Sequence, residues 1–268
     1  MQAQQVFDRL WAGYTEQNPE ALSIFNLFVK EGETVVNDHV AFRTFNDPRI
    51  NIDVLAKPFL ATGYKFKDFY KFEDKHLFAR HYEHPDLPDA PRVFISELIA
   101  EDFSYDMQSS INCVVDKIST ELLDSDELLF SGNTWGTPSF ERYQKMRAES
   151  EYAAWVYVYG FRANHFTVSI NSLKKYETIE KVNQLLKDNG FLLNDAGGEI
   201  KGTPAELLEQ SSTRAGILPV TFREGIFEIP SCYYEFARRY PDNSGKLYSG
   251  FIAKSADKIF ESTDFYKK

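Results

Sequence analysis

From residue 3 to residue 30 the apolar positions recur with a helical period. Val6, Leu10 and Tyr14 form one stripe and Leu22, Phe25, Leu27 and Phe28 a second, with Asn18-Pro19 between them, so two helices are expected. The period then changes. His39 to Phe45 alternates, with Val40, Phe42 and Thr44 on one face and His39, Ala41 and Arg43 on the other, as in a strand. Asn46-Asp47-Pro48 closes it, a helix is predicted from Ile52 to Thr62 with Gly63 ending it, and Tyr64–Tyr70 and His76–Tyr82 read as strands. After a Pro- and Asp-rich loop, Arg92–Leu98 is a further strand. This first module, about 33–100, reads β-α-β-β-β.

A mostly helical insertion is expected over about 101–158. The strand pattern returns at Asn164–Ile170. A helix over Ile179–Asn189 follows, then short strands near Phe191–Leu193 and Leu218–Phe222, and a last strand over Ser231–Arg238 with Glu235 at its centre. The second module, about 160–240, therefore repeats the order of the first. Each half opens on a strand bearing a histidine and closes on one bearing a glutamate: His39 with Glu97, and His165 with Glu235. The expected fold is α+β, two paired modules in one domain spanning 1–268, with 241–268 as a peripheral C-terminal extension.

Composition narrows the function. Hydrophobic residues make up 43% and charged residues 26% of the 268, as in an ordinary globular chain, and 23 Phe with 15 Tyr favour sheet over a helical bundle. The net charge of −10 and the lack of a basic cluster argue against a nucleic-acid partner. No apolar run approaches the ~18 residues of a membrane span. Two distant cysteines, Cys113 and Cys232, make no disulfide framework or zinc ribbon, and no leader is visible, so a cytoplasmic location is expected.

Two imidazoles and one carboxylate with open positions are the ligand set of non-haem iron oxygenases. His39 and His165 occupy matching places in the repeat, and Glu235 is the preferred carboxylate, with Glu228 as its competitor and Glu97 as a possible fourth ligand. Arg43 shares the face of His39 and suits a carboxylate substrate; a structural salt bridge is its plain alternative. Thr167, Ser169 and Asn171 follow His165 on its face. His76, His81 and His84 are spaced poorly for a second metal. Gly197-Gly198 and Gly202 mark a loop without a nucleotide-binding signature.

At these residues the chain resembles a known family. Asn37–Phe45, Pro91–Leu98, Asn133–Pro138, Glu151–Trp155, Asn164–Thr167 and Tyr233–Phe236 together are similar to motifs of the 2-oxoadipate dioxygenase/decarboxylase family (DUF1338), over about residues 3–245. The resemblance implies a vicinal-oxygen-chelate fold, a half-open barrel of paired βαβββ modules. It implies Fe(II), or another divalent metal in isolated protein, on His39, His165 and Glu235, with Arg43 holding the substrate carboxylate. The implied reaction turns 2-oxoadipate and O2 into 2-hydroxyglutarate and CO2 during lysine breakdown. Longer members carry extra sequence around the substrate pocket. Two other functions fit the same fold: a glyoxalase-like lyase or isomerase using Glu97 as fourth ligand, and a non-catalytic binder of a small acid.

Overall fold

The structure, a computed structural model, describes residues 2–252. It opens with α1 (Ala3–Gln17) and α2 (Pro19–Lys30). Local chemistry separates them: Asn18 caps α2 by accepting the Ala21 amide, and Pro19 takes the first helical position, where its missing N–H is no loss. The first module is β1 (Asn37–Phe45), α3 (Ile52–Ala61), β2 (Lys65–Phe72), β3 (Leu77–Glu83) and β4 (Arg92–Leu98). Four helices occupy the expected insertion: α4 (Tyr105–Val115), α5 (Thr120–Leu123), α6 (Phe140–Glu149) and α7 (Glu151–Tyr159). Each starts at a serine, Ser104, Ser119, Ser139 or Ser150, whose hydroxyl accepts a first-turn amide. The chain leaves α7 through Gly160, at φ +66°, where a Cβ would strike the backbone of Gly132.

The second module comprises β5 (Ala163–Ser169), α8 (Ile179–Asp188), β6 (Lys201–Thr203) and β7 (Leu208–Ser212). A hairpin of β8 (Ile217–Phe222) and β9 (Gly225–Pro230) follows, and β10 (Glu235–Arg239) completes the module. Eight strands form one sheet in the order β2-β3-β4-β1-β5-β10-β7-β6, and the hairpin stands apart as a two-stranded sheet. Outward from the central β1–β5 pair, each module lays down its first, fourth, third and second sheet strand. This is the paired βαβββ arrangement of the vicinal-oxygen-chelate fold, and its pseudo-two-fold runs between β1 and β5.

Three details differ from the sequence-based expectation. The Leu218–Phe222 strand belongs to the separate hairpin, and near Phe191–Leu193 there is only one bridge, Leu193 to Thr213. Their places in the sheet are taken by β6 and by the polar strand β7. Glu235 opens β10 rather than sitting at its centre. The segment after β10 is exposed over 241–247, as a peripheral extension would be, but its described end is not peripheral, because Phe251 is buried against the sheet; residues 253–268 of the expected extension lie outside the described residues.

The two faces of the central strands have different covers. Phe42 meets Phe59 of α3, and Phe166 lies among Trp11 and Tyr14 of α1, with Tyr234 completing the cluster. The alternate positions, His39, Ala41, Arg43, His165 and Thr167, take the other face, which α7 covers at one end: the Tyr152 hydroxyl accepts the Thr44 amide and Trp155 Nε1 donates to the Ser231 carbonyl.

Candidate metal centre

The β1–β5 ladder slips by one residue at two places. Asn37 faces Val168 but His39 faces Thr167, leaving Asp38 as the extra residue; Ala41 faces His165 but Phe42 faces Ala163, leaving Asn164 extra. The slips are related by the pseudo-two-fold, and a bulge re-aims the side chains around it. Each extra residue holds the histidine that follows. Asp38 Oδ1 lies 2.8 Å from His39 Nδ1, and Asn164 Oδ1 lies 3.1 Å from His165 Nδ1. Both partners are acceptors, so each Nδ1 carries the proton and each Nε2 offers its lone pair.

Those lone pairs meet at one carboxylate. Glu235 Oε1 lies 3.5 Å from His39 Nε2, and Glu235 Oε2 lies 3.4 Å from His165 Nε2. All three residues are buried, and their candidate ligand atoms lie within 4.8 Å of one another. Burial lowers the pKa of His39 against the pull of Asp38, and burial, with His39 and Arg43 nearby, pushes that of His165 well down; both rings are neutral near pH 7. Burial pushes the Glu235 carboxyl up to about 8, against the hydrogen bond from Gln210 Nε2 at 2.5 Å. Two neutral imidazoles with free lone pairs meet a buried carboxyl, and a cation between them would hold that carboxyl in its ionised form. Donors 3.4–3.5 Å apart are spaced as neighbours around an ion with bonds of about 2.0–2.2 Å. The donor set therefore fits a divalent metal.

Around the three lie Ala41, Phe42, Arg43, Phe94, Ser96, Asn164, Gln210, Tyr233 and Phe251, lining one small cavity. His165 stacks on Tyr233, with ring centroids 4.7 Å apart, and Phe251 stands edge-on to His39 at 4.8 Å. Arg43 is buried over the rings of Tyr152 (5.1 Å) and Trp155 (5.3 Å). The Thr167 hydroxyl lies 3.1 Å from His39 Nε2.

Several candidates fall elsewhere. Glu97 is opposite Thr44, on the helix face, and its Oε2 accepts the Ile52 amide at 3.0 Å, so it is no fourth ligand. The two-fold gives the reason. Glu235 pairs with Thr167, two residues past His165; two residues past His39 is Ala41, whose β4 partner is Phe94. A phenyl ring thus occupies the place where symmetry would put another carboxylate. Glu228 is exposed on the hairpin, and Asn171 clamps the backbone of Arg239. His76 pairs with Asp102, His84 meets the Thr62 carbonyl, and buried His81 bonds Tyr70 and Glu83, so these three do not converge. Gln210, Asp38, Asn164, Tyr233, Phe94 and Phe251 were not foreseen. One signal was legible: both histidines are preceded by a residue with a side-chain acceptor, Asp38 or Asn164.

No described helix is long and apolar enough to cross a membrane. Residues 6–245 match the family described as 2-oxoadipate dioxygenase/decarboxylase. The rice (Oryza sativa subsp. japonica) 2-oxoadipate dioxygenase/decarboxylase, named as chloroplastic/amyloplastic, is 37% identical over 93% of this chain and 75% of its own. The crystal structure of hydroxyglutarate synthase from Oryza sativa, in complex with 2-oxoadipate, superposes with a TM-score of 0.91 at 34% identity, covering 97% of this chain and 91% of that one. A Shewanella frigidimarina crystal structure, described as that of a hydrolase, has a TM-score of 0.89 and 50% identity over 94% of this chain and 98% of that one. With the match running through both modules and every element that builds the site, the chain belongs to the 2-oxoadipate dioxygenase/decarboxylase family.

Proposed function

We propose that the chain is a metal-dependent dioxygenase that decarboxylates a short dicarboxylic 2-oxo acid, 2-oxoadipate foremost. His39, His165 and Glu235 would hold the metal and Arg43 would anchor a substrate carboxylate. The observation that carries this reading is the buried convergence of two lone-pair-bearing imidazoles on one carboxylate, with no fourth protein ligand at the symmetric position. Bound there, Fe(II) supplies the redox chemistry that lets O2 react with a 2-oxo acid.

The rest falls to the protein. Arg43 lies four residues beyond His39 on the same face, a Cα separation of roughly 13 Å. An arginine side chain and a short diacid together span that gap, so Arg43 suits the carboxylate remote from the metal. The rings of Tyr152 and Trp155 lie beside its buried guanidinium and keep water from it, which strengthens a two-pronged pair with a carboxylate. Phe94, Phe251 and Ala41 make the wall apolar and exclude water around the reacting carbon. Gln210 holds one oxygen of Glu235 in place. Cytoplasmic residence belongs to the same proposal, supported by the free thiols of Cys113 and Cys232.

The test is anaerobic loading with Fe(II), then O2 uptake with 2-oxoadipate. Uptake equal to CO2 release, with 2-hydroxyglutarate as product, is the expected result. Atom balance places both oxygens of O2 in the hydroxy acid, so 18O2 should label that product doubly and leave CO2 unlabelled. A loaded metal with no O2 uptake on any 2-oxo acid would overturn the proposal.

A further inference from the structure

Arg239, the last residue of β10, is buried and makes two sets of contacts. Its Nε and Nη2 donate to Asp38 Oδ2 and Oδ1 at 2.7 and 2.9 Å, a two-pronged pair. Its Nη1 donates to the carbonyls of Tyr248 and Gly250 at 3.0 and 2.7 Å. Asp38 is also the residue that meets Nδ1 of His39. The ring of Phe251 lies 5.1 Å from the Arg239 guanidinium carbon, and its amide donates to the Tyr70 hydroxyl at 3.1 Å. Phe251 and His39 therefore touch each other directly and are each tied to the same side chain.

We propose that Arg239 is a positioning residue that couples the 248–251 segment to the metal centre. Its guanidinium is flat and its donors are fixed in direction, so it transmits a displacement. A shift of the Tyr248 and Gly250 carbonyls drags Nη1, tilts the plane and weakens the pair with Asp38. Asp38 then no longer holds the His39 ring square to Glu235. The converse holds by linkage: a metal that fixes His39 steadies Asp38, Arg239 and the seat of Phe251 by the same factor. The segment that walls the cavity is thereby most firmly seated when the centre is loaded. This inference rests on reading His39 as a metal ligand.

Co(II) serves as the probe, its affinity followed by equilibrium dialysis and its environment by the visible spectrum. In parallel, hydrogen–deuterium exchange follows the 240–252 segment, with the 217–230 hairpin as an internal control. Co(II) is expected to slow exchange at 248–251 in the wild-type chain and leave the hairpin unchanged. Arg239→Lys, which keeps the charge but loses the fork, should weaken Co(II) binding about 10–100-fold and speed exchange at 248–251. Tyr70→Phe removes the acceptor of the Phe251 amide together with the hydroxyl that meets His81 Nδ1, leaves the Asp38 pair intact, and should do both to a smaller degree. It decides the matter should Arg239→Lys not fold. Faster exchange in Tyr70→Phe with wild-type Co(II) affinity, or wild-type exchange indifferent to Co(II), overturns the coupling alone. A wild-type chain that takes up no Co(II) instead overturns the reading of His39 as a ligand.

Discussion

At the scale of single residues, the centre depends on acceptors that fix proton positions. Asp38 and Asn164 decide which nitrogen of each histidine is free, and Gln210 decides where Glu235 points. His165→Ala removes one of three donors, and such a chain is expected to lose its metal on dialysis while keeping its fold by circular dichroism. Arg43→Gln should behave differently. Metal content stays at the wild-type level, while kcat/KM for 2-oxoadipate falls by roughly 100-fold, mainly through KM, as when one member of a buried charge pair is truncated. Unchanged kinetics in Arg43→Gln would take the carboxylate away from that residue. The sequence marked Arg43 because it shared a strand face with His39. It could not mark Arg239, whose role depends on a partner 201 positions away in the chain.

Among elements, the strand that escaped sequence reading is the most informative. β7 reads Leu-Glu-Gln-Ser-Ser and is wholly buried, a composition that strand propensity disfavours. It is tolerated because its polar groups find partners: Ser211 donates to Asn183 of α8, Gln210 to Glu235, and Glu209 accepts from Tyr240. Those partners come from α8, β10 and the chain beyond it, so nothing local announces the strand. The N-terminal helix offers a comparable case. Tyr14 of α1 donates its hydroxyl to the Tyr233 carbonyl, two residues before Glu235, and accepts from Asn18. Tyr14→Phe leaves a buried carbonyl unpaired and should cost about 1–3 kcal/mol in denaturant unfolding. A change within a few tenths of a kcal/mol would mean that the carbonyl finds another donor.

For the whole molecule, the proposed centre would link metal, protons and stability. With the Glu235 carboxyl pushed up to about 8 from an ordinary 4.5, the metal-free fold retains a proton that the unfolded chain releases. That contribution is complete below pH 4.5 and is lost as pH rises through 8. His39 and His165 act oppositely, since their depressed pKa values favour the fold as pH climbs through 6.5 and are silent above it. Between pH 6.5 and 8 the unfolding temperature of the metal-free chain should therefore carry a falling contribution from Glu235, and the loaded chain should not. A metal bound as proposed would displace the same proton, so its affinity should drop about tenfold per pH unit below 8. Calorimetry in two buffers of different ionisation heat reads that proton directly. Zero proton release at pH 7 would show that Glu235 is ionised before the metal arrives.

The sequence by itself determined the periods of helix and strand, the repetition of the βαβββ order, and a short set of residues able to hold a metal. These are local facts: an alternating strand or a capped helix is written in neighbouring side chains, and two histidines in matching places reveal a repeat without any coordinates. The tertiary structure decided which carboxylate joins them. Glu97 and Glu235 occur in comparable strands, yet one faces the helices and the other faces the cavity, because side chains alternate across a sheet and register sets which face each takes. It also decided that bulges at Asp38 and Asn164 turn each acceptor onto its histidine, and that Phe251 closes the site from beyond the last strand. Register, bulges and long-range closure depend on pairing between distant segments, which is why only the folded chain could reveal them.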